Sequence, residues 1–233
     1  MLNEKNILAI IPARGNSKGL PGKNIRIFAD KPLIAWTIEQ ARKIKYIDRV
    51  VVSTDSKKIA QIAKTYGAEI PFLRPKRLAK DETPTIDVVV HFLKTIKKPL
   101  PDIVVLLQPT SPLRSSKDIE RALKMLISNK NASAVVSMVE VSENPFWMKN
   151  VKKDGFIGDF IKKARKFSRR QDLPRLYMPN GALYIIRTKV LLEQKSLYPI
   201  KTLVYIMPRE RSADIDDAAS FALAEQLAGK NKK

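Results

Sequence analysis

Short apolar runs alternate along the chain with stretches whose apolar residues recur every three or four positions, and this rhythm most constrains how it can fold. Runs at 7–11, 50–54, 69–73, 103–107 and 133–139 predict strands, and segments 33–44, 56–66, 85–96 and 116–128 predict the helices between them. In the first helix Leu33, Ile34, Ile38, Ala41 and Ile44 share one face, and Gly67 stands where a left-handed cap would close the second. Such alternation builds an α/β fold, a mostly parallel sheet with helices on both faces. Between 143 and 180 the rhythm breaks, with Pro145, Gly155, Gly158, Pro174 and Pro179 set among basic and aromatic residues. That stretch reads as an inserted arm on a single domain spanning 1–233. Strands at 182–187 and 202–207 and a closing helix at 216–228 resume the pattern, with no internal repeat anywhere.

Composition narrows the chemistry. A chain of 233 residues suffices for one sizeable core. No apolar stretch approaches the length that spans a bilayer. The run at 7–11 is too short for a signal peptide and leads into a basic, glycine-rich loop, so a cytoplasmic protein without membrane association is expected. With no cysteine and one histidine, His91, disulfides, thiolate metal sites and a Ser-His-Asp triad drop out. Lys, Arg, Asp and metal ions are left to carry the reaction. The net charge of +21 admits a nucleic-acid partner, but most lysines are scattered over predicted helices, as in "KKIAQIAK" and "ARKIK". Few aromatics lie outside predicted strands, which argues against a nucleic-acid-binding surface. The densest cluster, "KKARKFSRR" at 162–170, suits either a solvated face or an anion.

Three stretches follow predicted strands or precede the last helix and concentrate polar chemistry. The first is "IPARGNSKGLPGKN". A P-loop is excluded because Ser17 stands five residues before Gly22 and Asn24 follows Lys23; Gly15, Gly19 and Gly22 also miss the G-x-G-x-x-G spacing. The glycines nevertheless allow close backbone approach to an anion, and Arg14, Lys18 and Lys23 supply charge at the carboxyl edge of the first strand, where ligands of open α/β sheets bind. The expectation is a triphosphate cradle. The second is "LLQPTSPLRS", whose prolines stiffen a loop expected to present Gln108, Thr110, Ser111 and Arg114 at the same edge, with Ser115 or Ser116 capping the next helix. Gln108 stands out because an amide both donates and accepts. The third is "RSADIDDAASFALAE". If it is extended, Asp214 and Asp216 share a face as an Mg²⁺ pair would; the same spacing also serves a helix-capping cluster, the better account of Asp217. Asp30 and Asp55 are read as structural.

Taken in order, "IPARGNSKGLPGKN", "VVVSTD", "RPKRLAKDETPTIDVV", "LLQPTSPLR", "RQDLPRLYMPNGALYI" and "ADIDD" resemble the acylneuraminate cytidylyltransferase family, the CMP-sialic acid synthetases, over nearly the whole chain. The resemblance implies a three-layer nucleotidyltransferase fold of the nucleotide-diphospho-sugar transferase type, a homodimer joined by the arm, and coupling of CTP to a nine-carbon acidic sugar with Mg²⁺. It implies that Ala13, Arg14, Lys18 and Lys23 cradle the triphosphate and that Asn24, Arg74 and Thr85 help hold the nucleotide. Gln108 and Tyr184 would face the sugar, Asn180 and Gly181 would floor its pocket, and Arg170 and Gln171 would reach it from the arm. Asp214 and Asp216 would hold the metal, with Arg14, Lys23 and Asp216 carrying the chemistry; Asp216 and the metal itself are both candidates for the base. Where sialic-acid members carry a histidine-rich stretch ending in Pro-Leu-Lys, this chain reads "EVSENPFWMKN", with Trp147 on the lysine position and Lys149 two residues later. That stretch looks more like members activating legionaminic or related nonulosonic acids. The rival enzyme reading is an activator of the eight-carbon 3-deoxy-manno-octulosonate, against which the QPTSPLR-like loop and the NG-x-x-Y stretch argue. A third reading is a module that binds nucleotide without turnover.

Overall fold

Strand β1 (Ile7–Pro12) lies between two parallel neighbours in the sheet, and all but its last residue are buried, so its apolar run shows no alternation. The computed structural model describes residues 5–162 and 169–230. In chain order the further strands are β2 (Ile27–Phe28), β3 (Lys31–Pro32), β4 (Arg49–Ser53), β5 (Ile103–Leu106), β6 (Ala134–Glu140), β7 (Lys149–Val151), β8 (Ile157–Asp159), β9 (Tyr177–Arg187) and β10 (Thr202–Ile206). The helices are α1 (Leu33–Arg42), α2 (Lys57–Thr65), α3 (Thr85–Thr95), α4 (Ser116–Ser128), α5 (Thr188–Gln194) and α6 (Ala218–Lys230). The main sheet has six strands in the order β10-β6-β9-β5-β1-β4. All its pairs are parallel except where β9 runs antiparallel between β5 and β6.

Successive residues of β1 serve opposite cores. Ile7, Ala9 and Ile11 pack with Ile34 and Ile38 of α1, Ile59 of α2 and Leu123 of α4, whereas Leu8 and Ile10 pack with Val89 and Phe92 of α3 and Leu191 of α5. Three layers result, as the resemblance implies. A third cluster, with Leu20, Phe28, Leu33, Ile215 and Phe221, ties α6 to the opening loop, and the Phe28 ring meets the edges of Trp36 and Phe221 at centroid distances of 5.8 and 5.5 Å. This cluster sets the glycine-rich loop beside the aspartate segment.

Two elements depart from expectation. The predicted strand 69–73 is reduced to a bridge between Glu69 and Val51, because Pro71 brings no N–H to continue the ladder. Helix α5, only seven residues long, fills a stretch with no predicted element. Within 143–180 the arm carries the β7–β8 hairpin, while β9 begins at Tyr177, well before the predicted strand start at 182. Most of the basic cluster at 162–170 lies outside the described residues. Among the described residues no helix is long and apolar enough to cross a membrane.

Helix α4 matches its predicted bounds because its start is chemically explicit. The Ser115 hydroxyl accepts from the Asp118 N–H while the Asp118 carboxylate accepts from the Ser115 N–H, a closed capping box. Asp118 is 1% exposed and also accepts two bonds from Arg211, each 2.9 Å, and one from the Tyr205 hydroxyl at 3.0 Å. Burial alone would lift its carboxyl; the bonds from Arg211, Ser115 and Tyr205 outweigh it and hold the group below the ordinary aspartate value of 3.8. A depressed folded value stabilises the fold at higher pH, fully above about pH 5, and that contribution fades as pH falls through the folded value. Urea melts at pH 3 and pH 6 should therefore show a smaller stability difference in Asp118→Asn than in the natural chain. An equal difference in both proteins would contradict this.

Candidate active site

The carboxyl ends of β1 and β5 open onto a cleft of about 340 Å³. A glycine-rich loop at 13–24 forms one wall, residues 74–85 the opposite one, and Gln108–Thr110 with Asp214 and Asp216 the base. The first loop is pinned along its length. Ala13 is buried and its N–H donates to the Ser53 carbonyl; the Gly15 N–H donates to Asp55, and the Asn24 amide donates to the Arg14 carbonyl. Asp55 thus has the structural role expected of it, and by taking the Gly15 N–H it removes one backbone donor from any anion. Gly22 adopts φ +68°, which starts the short turn carrying Lys23 and Asn24. At Gly19 the backbone passes so close to the Asp216 carbonyl oxygen that any side chain would overlap it.

This packing places the cations. The Lys23 amine donates to the Ile215 carbonyl at 2.6 Å and lies 3.7 Å from the Asp216 carboxylate, with only 12% of its side chain exposed. Arg14 meets Asp81 at 2.5 Å, and Lys18 meets the other oxygen of Asp81 at 3.0 Å. The bond from Lys18 leads the effects that hold the Asp81 carboxyl below its ordinary range, with Arg14 adding to it. Lys18 itself is largely exposed and does not line the cleft. Arg74 is the most telling group. Its guanidinium is almost wholly buried, its Nε and Nη2 have no hydrogen-bond partner, and the Asp55 carboxylate is 3.9 Å away. Burial lowers its pKa. A buried guanidinium with unused donors on a cleft wall calls for an acceptor from outside the chain. Thr85, the first residue of α3, lines the cleft beside it.

The other end of the cleft is built differently. Gly181, at φ +73°, lets the Gln108 amide and the Asp214 carboxylate converge: a Cβ there would lie 3.0 Å from Gln108 Oε1 and 3.4 Å from Asp214 Oδ2. Asn180 underlies them. Its side chain accepts from the Ser137 hydroxyl and donates to Ser212, so it shapes the floor without presenting a free group. Tyr184 stands deeper, its hydroxyl 3.3 Å from that of Tyr198; burial, then Tyr198 and the Asp214 charge, push its phenol up. Burial also raises the Asp214 carboxyl, aided by the Asp216 charge and opposed by Thr110 and Lys23. Both aspartates line the cleft on a non-helical segment, while Asp217 caps α6 by accepting from the Ser220 N–H. Asp214 and Asp216 are the carboxylates of the cleft that could hold an Mg²⁺ whose other positions phosphates and water would fill; no group of three or more acidic or histidine side chains gathers among the described residues.

The cleft therefore gathers Arg14, Lys23, Asn24, Arg74, Thr85, Gln108, Asp214 and Asp216, with Gly181 and Tyr184 adjoining. Arg170 and Gln171 are not brought to it; they line separate grooves beside Glu140 and Val141. Two expected presentations fail. Arg114 is 1% exposed and turned inward, donating to the Ala182 carbonyl, Thr37 and Gln40; Ser111 is buried too. Thr110 lines the cleft at the edge where it was expected, whereas Asp81 belongs to the site and was given no role there by sequence reasoning, although it lies in a recognised stretch. Lys149, near the departing Trp147, is engaged with Asp159 at 2.5 Å.

Comparison with known proteins places these features in a context. The cytidylyltransferase family model matches residues 8–232. The CMP-N,N'-diacetyllegionaminic acid synthase of Legionella pneumophila is 40% identical, the match covering 97% of this chain and 98% of that protein. The N-acylneuraminate cytidylyltransferase of Escherichia coli is 35% identical over 97% of this chain, which spans only 53% of that longer protein. A CMP:2-keto-3-deoxy-manno-octonic acid synthetase, solved in complex with CTP, superposes with a TM-score of 0.74 over 97% of this chain and 99% of its own, at 19% identity, and so shares the fold.

Proposed function

Since the chain belongs to the cytidylyltransferase family, we propose that it couples CTP to a nine-carbon acidic sugar of the legionaminic or related nonulosonic type, releasing pyrophosphate. The observation that carries this reading is the division of the cleft. One end holds cations and an unsatisfied buried guanidinium, suited to a triphosphate; the other holds the Gln108 amide, with Gly181 and the buried Tyr184 adjoining it, suited to a sugar. The likeness to the Legionella synthase favours legionaminic acid among such sugars.

In the reaction the anomeric hydroxyl oxygen forms a bond to the α-phosphorus, the bond from that phosphorus to the bridging oxygen breaks, and pyrophosphate leaves with the electron pair. Arg14, Lys23 and Arg74 offset charge on the phosphates, so catalysis is mainly positioning and charge neutralisation. Gln108 orients the sugar, and the Asp214 and Asp216 carboxylates stand where the hydroxyl proton departs. Asp214 and Asp216 would hold Mg²⁺, which would supply further neutralisation of the phosphate charge. Arg14 reaches the triphosphate by exchanging Asp81 for it.

The arm supports a homodimer. Val151, Phe156, Ile157 and Phe160 are 79, 69, 72 and 58% exposed on or beside a two-stranded hairpin that has little stability alone. Packed on a second copy they would be covered, and Arg170 and Gln171 would be carried toward the partner's cleft. A CTP-consuming reaction on a free sugar acid fits the cytoplasm.

Pyrophosphate release should be measured with CTP, Mg²⁺ and, in turn, N,N'-diacetyllegionaminic, N-acetylneuraminic, pseudaminic and 3-deoxy-manno-octulosonic acids. Fastest release with the first is expected; release only with the eight-carbon acid would overturn the sugar assignment. Gly181→Ala should raise the sugar KM by about tenfold, the equivalent of about 1.4 kcal/mol, through strain at positive φ and displacement of Gln108. CTP KM should stay near its natural value; an unchanged sugar KM would remove the floor role.

A further inference from the structure

The segment that carries Asp214 and Asp216 has no regular structure of its own, yet it is fastened at every step. The Ser212 hydroxyl accepts from the Asn180 amide, the Ile215 N–H donates to the Thr110 carbonyl, and the Ile215 carbonyl accepts from Lys23. Three residues before Asp214, Arg211 places its guanidinium on Asp118 through two bonds of 2.9 Å. Asp118 is nine-tenths and more buried, outside the cleft, and already occupied by the cap of α4. A single carboxylate thus joins the loop bearing Gln108 and Thr110, which runs into α4, to the segment bearing the acidic pair.

We propose that the Asp118–Arg211 pair is a positioning device for divalent metal at the active site, setting the register of Asp214 and Asp216 against the Gln108–Thr110 wall. This deepens the functional reading above and rests on its assignment of those two carboxylates to the metal. The bidentate geometry fixes both the position and the rotation of the Arg211 side chain, which a single ammonium bond does not. Tyr205 donates to the same carboxylate from β10, outside the aspartate segment, so it serves as the comparison.

The test is Mn²⁺ binding, followed by electron paramagnetic resonance of the free ion, with the full chain and saturating CTP but no sugar, so that nothing turns over. Groups that orient metal ligands from behind cost about 10- to 100-fold in metal affinity when removed. Arg211→Met should weaken Mn²⁺ by that order, and Arg211→Lys should recover part of the loss. Tyr205→Phe should bind Mn²⁺ like the natural chain, and CTP binding in EDTA should change by less than about twofold in all three, since the cations that hold the phosphates are untouched. Should Arg211→Met fail to fold, Arg211→Lys against Tyr205→Phe carries the comparison. Folded variants with lowered melting temperature but natural Mn²⁺ affinity overturn the proposal, as does an equal loss in Tyr205→Phe. A natural chain whose CTP complex binds Mn²⁺ no better than CTP alone overturns the metal assignment itself, and the proposal with it.

Discussion

Replacing Lys23 by alanine should lower kcat by about 10²- to 10³-fold, the usual cost of removing one fixed donor aimed at developing charge. The amine owes its effectiveness to its setting. It is held between the Ile215 carbonyl and the Asp216 carboxylate, largely shielded from water, on a loop already pinned by Ala13, Gly15 and Asn24. A cation so placed needs no reorganisation as charge passes to the leaving pyrophosphate. The fold should survive, because the substitution removes one side-chain bond to a carbonyl, worth about 1 kcal/mol. Steady-state kinetics give the check: kcat and kcat/KM should fall together, whereas a raised KM with natural kcat would assign Lys23 to ground-state binding alone. Near-natural activity would remove it from the chemistry.

The second large effect is on stability. Arg114→Ala should destabilise the fold by about 3–5 kcal/mol, combining a cavity with orphaned buried acceptors, and should lower the melting temperature by about 10 °C. The guanidinium is among the largest fully buried side chains, and burial pulls its pKa down to about 9, so it stays cationic at neutral pH. It links the Ala182 carbonyl of β9 to Thr37 and Gln40 of α1, so one side chain ties the sheet to a covering helix. Arg114→Met keeps much of the volume and should lose less than Arg114→Ala. A melting temperature unchanged in both would mean that the buried fork contributes nothing net. Because Ala182 adjoins Gly181, the sugar end of the cleft should loosen as well.

These two residues also show what a sequence exposes and what it hides. Lys23 was legible because its neighbours in the chain, the glycines and Arg14, form the same wall of the cleft. Arg114 was not: it sits in a stiff loop beside Gln108, and nothing in that spacing tells that one side chain turns outward while the other turns inward. The sheet and most helices follow from periodicity, and α4 is explicit from Ser115 and Asp118. The strand expected at 69–73 failed because apolar residues alone do not outweigh the donor missing at Pro71. The closing of the site depends on partners far apart in the chain, such as Lys23 with Ile215 or Asp118 with Arg211, and these become visible only once α6 packs on Leu20 and Phe28. Asp81 was quoted within a motif, but its pairing with Arg14 and Lys18 requires the opposite wall to be in place.

Which phosphorus–oxygen bond of CTP the protein breaks is the most direct measure of the central claim. Phosphorus NMR of the natural chain with CTP, Mg²⁺ and N,N'-diacetyllegionaminic acid reads this without any coupled enzyme. The predicted spectrum loses all three triphosphate signals together and gains pyrophosphate and one new phosphodiester in equal amounts, both absent when Asp214→Asn replaces the natural chain. Appearance of CDP with inorganic phosphate, or an unchanged triphosphate in the presence of every acidic sugar tried, would contradict it.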